Sequence, residues 1–388
     1  MKPKKRNLTQ PVPAENLRDT YLILPFQGIW TWLTGKELEG RQPLWHSHSL
    51  EMVCWSLAWV LVGCLMTSLA WFGSMSLPLR LALYLTGVLF AASGARYVVA
   101  TIIHHGVHGH LFKSQRANKI LCEILSTIFI VQPYESYRQF HVYEHHGSAF
   151  STFEDRDLAA IYQLGFKPGK TVRQLYLNLL LTLFSPVFHL KFLLGRMKSN
   201  LIDLPLWRQA MSLCWWGVLV CLAVKLGAAF FLLNVLIPFV VVYQMASLLH
   251  LLTEHTWCLR QQGESVRDSH IKNCLGRFCG SACPPELSLR CSAEWVRWAL
   301  IHLFFHLPCR MLIVQGSLVC HDWHHRFGSV RQWYDYARLR EKHRLKLEAE
   351  GKNDYIDIWG IQHALRYVFS QLSAMDAVKT ENLAYRLN

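Results

Sequence analysis

The chain has 388 residues, 52% of them hydrophobic and only 17% charged, with 40 Lys and Arg, 20 His, 15 Trp and a formal net charge of +14. Average soluble domains carry roughly 45–50% apolar and ~25% charged residues, so the balance is shifted towards oil; disorder and a coiled coil fit poorly. The 12 Cys form no CxxC pair, which leaves no framework for a disulfide-rich module.

Residues 1–49 read as a cytosolic N-terminal segment with interfacial elements, opening on the basic run Lys2, Lys4, Lys5 and Arg6. Tyr21–Pro25 is too short an apolar run for a secretory signal. Leu50–Phe72 carries one charge, Glu51, and Pro78–Ile103 is a second apolar stretch with Arg80 at one end and Arg96 near the other. Ile202–Val224 is apolar from Ala210 onward, and Leu226–Leu249 has no charge. A bilayer core needs ~20 apolar residues of helix, so all four predict membrane spans. Gly73–Leu77 joins the first pair, and little more than Lys225 and Gly227 joins the second, which predicts two tight hairpins. Trp55, Trp59 and Trp71 are candidates for a channel wall or for an aromatic belt.

Leu175–Leu190 and Trp298–Val314 are ambiguous, either spans or helices lying along the interface. Of the 40 Lys and Arg, only Arg80 and Lys225 fall at the far ends of the hairpins. The positive-inside bias then places both termini and the large loops in the cytoplasm. The positive charge is accordingly a cytosolic, membrane-facing surface. No basic motif with a known reading geometry is present, so nucleic acid is excluded as a partner.

The histidines are grouped. His104 and His108 follow the second span, His141, His145 and His146 come some thirty residues later, His255 follows the fourth span, and His321, His324 and His325 lie near the end. Residues three or four apart share one helix face, so each group is a ready-made set of metal ligands. Nine imidazoles exceed what one four-coordinate zinc accepts, and nitrogen-rich sites suit redox metals such as iron. Haem would want histidines inside the spans, where none lies. One site built from every group needs an even number of crossings between them. Leu175–Leu190 and Trp298–Val314 are then interfacial, and the spans number four.

These residues resemble the membrane fatty acid desaturase and hydroxylase superfamily. His104-xxx-His108-Gly-x-Leu-Phe-Lys-Ser with Asn118 is similar to that family's first box, and Arg138-Gln-Phe-His141 opens an HxxxHH second box. Glu154-Asp155-Arg-Asp157 follows it, and His321-xx-His324-His325 is the third box. The family's Asp after the first His is His105 here, and the Asn that some members carry four residues before the post-span His is Leu251. The resemblance implies an all-α membrane protein: four transmembrane helices in two hairpins, interfacial helices, and a cytosolic helical cap carrying the boxes. It implies a catalytic domain over 50–335, with 336–388 as a cytosolic helical tail.

The resemblance further implies two iron ions held by the nine histidines, O2 as co-substrate, and desaturation of a fatty acyl chain. The acyl chain would be a free acid, a thioester or lipid-linked. Electrons would come from a separate ferredoxin or cytochrome b5-type protein with its reductase, since no HPGG segment is present. Glu144, Asp155, Asp157, Glu254 and Asp322 are expected to hydrogen-bond the ligands' other ring nitrogens. His105, His110 and His250 are expected near the site, and His250 or water would fill the place of the missing Asn. A bacterial inner membrane is the expected location, with the endoplasmic reticulum as alternative. Hydroxylation, or decarboxylation to a terminal alkene, is the alternative outcome on the same scaffold. A non-catalytic lipid-binding protein and a zinc hydrolase are the readings from other classes. Cys274, Cys279, Cys283 and Cys291 lack standard zinc spacings, His302 and His306 fit an amphipathic helix, and Tyr336–Glu350 reads as a solvated charged helix.

Overall fold

The computed structural model describes residues 17–40, 47–379 and 383; the basic run at Lys2–Arg6 and His46 lie outside them. Four helices are long and apolar enough to cross a membrane: Ser49–Phe72, Leu77–Val107, Leu206–Leu226 and Ala228–Glu254. These are the four expected spans, the second and fourth each extended into a histidine group. Two further apolar stretches are bent pairs, Val172–Leu183 with Pro186–Leu201 at 66° and Leu289–Leu312 with Gly316–Arg326 at 95°. The first bend has a local cause. Pro186 cannot continue a helix, and Ser185 accepts a hydrogen bond from Phe188 N to start the next one. At the second bend Gly316 takes a left-handed φ of 46°, and a Cβ there would lie 2.8 Å from the Tyr97 hydroxyl.

The first two spans touch backbone to backbone. An ideal Cβ on Gly63 would lie 2.2 Å from Ala91 N, and one on Gly94 would lie 2.6 Å from Val60 N. Small residues permit this approach where lipid supplies no hydrophobic drive between helices. Gly63→Leu is therefore expected to lower stability by about 3 kcal/mol, while Gly217→Leu on the third span, which meets nothing within 4 Å, changes little. Thermal unfolding in detergent checks this; equal midpoints for the two variants would contradict the packing. The third span ends at Gly227, where the fourth begins. Beyond it the third span packs on Gln115–Ile128 and Pro186–Leu201, and the fourth packs on the second. Trp55 and Trp71 are exposed outward, so neither lines a channel between the spans, and Trp59 packs at a tilt on Phe90 with centroids 5.6 Å apart.

Regular α-helix is interrupted by π-helical stretches at Val98–Ile103, Gln139–His145, Leu232–Val242 and His302–His306. In Leu232–Val242 the interior Pro238 has no N–H to give to the ladder. Two of the others immediately precede or contain histidine groups, where such widened turns are often found.

The strands among the described residues are β1 (Gly276–Phe278) and β2 (Asp357–Trp359), paired in parallel. Residues after 335 do not stand apart. Ile361–Ala374 buries Ala364, Val368, Phe369 and Leu372 against Leu158, Ile161 and Leu175. Tyr336–Ala349 is likewise not a simple solvated face, because Arg340, Glu341 and Arg344 on it are buried. Arg340 reaches both Asp322, beside the last histidine group, and Asp357 of β2, each at 2.6 Å.

Candidate metal centre

Each histidine arrives by a different piece of backbone. The second span carries His104, and its last turn ends at His108, with ring centroids 5.3 Å apart. Asn118 fastens the turn that follows: its Oδ1 accepts from Phe112 N at 2.9 Å, and its Nδ2 donates to Phe112 O and Ser114 O. The π turn Gln139–His145 presents His141 and His145, with His146 at its end. His255 leaves the fourth span in extended conformation and bridges to Cys274. The short helix His321–Arg326 carries the last three.

The nine expected ligands converge, and eight of them sort into two clusters. His104, His108, His141 and His324 form one, and His145, His255, His321 and His325 the other; within each, the candidate ligand atoms lie within 4.8 Å of one another. In the first, Nε2 of His104 is 2.8 Å from Nε2 of His324. In the second, Nε2 of His255 is 3.2 Å from that of His145 and 3.3 Å from that of His321. His146 sits between the clusters. Its ring is 4.8 Å from His108 and 4.6 Å from His324, and it stacks on His325 at 4.0 Å.

The chemistry of this donor set fits metal ions. Nε2 of His108, His141 and His146 are buried without a hydrogen-bond partner, as rarely happens unless something else takes the lone pair. Burial, and then the neighbouring imidazoles, hold His108, His141, His146, His255, His321, His324 and His325 well below their ordinary pKa. Neutral imidazole is the ligating form. Burial also opposes charge on His145, but Asp155 at 3.1 Å from its Nδ1 outweighs it and raises the pKa to about 9. Asp155 accepts from Nδ1 and so leaves Nε2 turned to the cluster, where a bound metal ion would take the place of the Nε2 proton.

The expected carboxylate partners divide. Asp155 holds His145 as predicted; Asp157 is 3.9 Å from the same nitrogen. Glu254 lies 3.0 Å from His250 Nε2 and 3.5 Å from His321 Nε2. Two expectations are corrected. Glu144 pairs with Arg156 at 3.0 Å, and Asp322 pairs with Arg340; neither reaches a histidine. His105 is not in either cluster: its Nε2 is 2.8 Å from Ser317 Oγ, and its ring stacks on Trp333. His250 Nδ1 donates to Ile313 O, so its other nitrogen meets Glu254 rather than a cluster. His302 is engaged by Tyr21 and Trp298, away from the clusters. All the described cysteines are free thiols, and none joins a metal-ligand group. His270 was not anticipated. Its ring lies 4.8 Å from His325 and 4.4 Å from Phe150, with Nε2 unpartnered, and no neighbouring histidine in sequence marks it.

Two cavities reach the clusters. One of about 900 Å³ touches His104 and His141 of the first and His145 and His321 of the second. Val99, Ala100, Phe140, Phe188, Phe192 and Leu248 give it apolar wall, and Lys191 and Lys198 stand among its lining residues. The other, about 480 Å³, is lined by His108, His146 and His325 together with His110 and Arg331.

The neutral histidines carry a pH signature. The unfolded chain takes up protons near pH 6.5, whereas the seven buried imidazoles do not, so stability is held above that pH and is lost as pH falls through it. Asp157, raised to about 7 chiefly by burial, opposes this with one group. His145 has the opposite sign too, stabilising below pH 6.5 and losing that contribution towards pH 9. Metal-free protein should therefore lose stability steeply from pH 6.5 to 5, each neutral histidine contributing roughly 1.4 kcal/mol per pH unit once its unfolded form is protonated. Denaturant titrations across that range check it, and a flat profile would argue against neutral clusters.

The family model described as fatty acid desaturase matches residues 79–354, more than half of the chain, and this stretch holds the eight clustered histidines and His146 between them. No curated protein matches the chain significantly.

Proposed function

The chain belongs to the fatty acid desaturase family, and from that premise we propose that it desaturates fatty acyl chains at a diiron centre. The family makes it an oxidoreductase with an acyl substrate in a membrane setting. The observation that carries the finer reading is the cavity of about 900 Å³ that touches both histidine clusters. A single cavity brings one hydrocarbon chain before both.

In this reading His104, His108, His141 and His324, with His146 beside them, hold one iron ion, and His145, His255, His321 and His325 hold the other. Bound iron would supply activation of O2 by two external electrons and removal of hydrogen from an unactivated C–H bond. The protein's own part is placement. Val99, Ala100, Phe140, Phe188 and Leu248 exclude water around the chain and let it enter from oil. Asp155 keeps the His145 proton on Nδ1. The smaller cavity beside His108, His146 and His325 gives a separate donor an approach that does not cross the acyl chain. The same reading has both termini facing the cytoplasm and the two bent helix pairs lying along the interface.

Gas chromatography–mass spectrometry of lipids and hydrocarbons from an expressing host tests this. New monoenes, absent from a host carrying His324→Ala, are the expected result. Hydroxylated acids or 1-alkenes in their place would overturn desaturation in favour of the other outcomes of the same centre.

A further inference from the structure

Arg96 lies within the second span and is only 3% exposed. An ionisable residue at such a depth is costly, and it usually marks a functional site with a partner of its own. Arg96 has no carboxylate partner among the described residues. Its Nε donates to Leu312 O at 3.3 Å and its Nη1 to Ser247 Oγ at 3.0 Å, both uncharged. Its Nη2 is buried with no hydrogen-bond partner, and the guanidinium carbon lies 5.5 Å from the centroid of the Tyr243 ring, also uncharged. Arg96 also lines the large cavity, where His104, Tyr137, Tyr243 and Glu254 share the wall. Glu254 is already engaged, 3.0 Å from His250 Nε2.

We infer that Arg96 binds the carboxylate of an unesterified fatty acid inside this cavity. The inference rests on the acyl-chain reading above and names its chemical class. A guanidinium with a free N–H selects a planar anion, which it can meet with two parallel hydrogen bonds when its fork is turned towards the ligand. Its burial selects a small one. A thioester or ester carbonyl brings no charge to Arg96, and a nucleotide or protein carrier is too large for a residue closed off between the second and fourth spans. The carboxylate of a free acid has both the charge and the size. It also supplies the counter-charge that the buried arginine lacks.

The test uses the full-length, iron-loaded protein in detergent and compares binding of palmitate with methyl palmitate by equilibrium dialysis of labelled ligand. Wild type is expected to prefer the acid at least ~10-fold, the scale of a charge-assisted hydrogen bond. Arg96→Met is expected to abolish that preference while still binding the ester, which shows that the variant is folded. Should Arg96→Met not be recovered, Arg96→Lys, which keeps charge without the fork, is expected to lower the preference severalfold. Equal binding of acid and ester by wild type, or an unchanged preference in the variants, overturns the inference. Because binding is read without turnover, such a failure leaves the desaturase reading to the lipid analysis. Failure of the acyl-chain reading itself would show instead as no acyl product from any substrate.

Discussion

If the two clusters each hold iron as proposed, His324→Ala is expected to remove one iron ion per chain and to lower turnover at least ~100-fold. His324 is the hub of the first cluster. Its Nε2 is 2.8 Å from that of His104, and its ring lies 4.6 Å from the rings of His104, His108 and His146. Loss of one outer hydrogen bond to a metal ligand already costs roughly 10–100-fold in affinity or activity, and loss of the ligand itself should cost more. Alanine would also take from His104 Nε2 the polar neighbour it has at hydrogen-bond distance among the described residues. His48→Ala, at an exposed histidine outside both clusters, should retain iron and activity. Elemental analysis of purified protein with product analysis on the same preparation decides it. Full iron and full product in His324→Ala would remove the first cluster from the centre.

Arg340→Met is expected to cost about 3–5 kcal/mol and to reduce iron content, although Arg340 touches no histidine. Arg340 is buried, and its Nε and Nη2 donate to both oxygens of Asp322, which sits between His321 and the remaining ligands on the same short helix. The same Nη2 reaches Asp357, which Lys36 also holds at 2.6 Å. Burial opposes every charge here, but Arg340 and Lys36 outweigh it and hold the Asp357 carboxyl well below the usual carboxylate range. Methionine keeps the volume and leaves two buried carboxylates short of a cation. The comparison is Arg338→Met, whose partner Asp335 is on the partly exposed side, where an ion pair contributes ~1 kcal/mol or less. Thermal unfolding in detergent should separate the two variants widely; similar midpoints would show that Arg340 does not anchor the last box.

The four spans, the eight clustered histidines and His146 between them were legible in the sequence, because both signals are local. An apolar run announces a span by its length, and the spacings in His104–His108, His141–His146 and His321–His325 announce shared faces. Which histidines share a cluster was not legible. His141 joins His104 while His145, four residues on, joins His255, and only the crossing of separate elements decides that. His270 escaped because it stands alone in sequence. Asp322 was misassigned because adjacency to two ligands suggested a role its side chain does not have, and its partner Arg340 was hidden in a helix dense with charge. Arg96 was visible as a charge near the end of a span, but its unpartnered nitrogen is a fact of packing alone.

The π turn at Val98–Ile103 gives the second span a sensitivity of its own. A widened turn accommodates one residue beyond the regular ladder, and each residue of α-helix advances the direction of a side chain by roughly 100°. Were the turn to narrow to ordinary helix with all its residues kept, everything after it would swing by about that angle, carrying His104 and His108 away from His141 and His324 with both imidazoles intact. Deleting one residue between 98 and 103 at the same time would restore the aim. For this stretch the width of the turn, matched to the number of residues in it, matters more than which apolar ones they are.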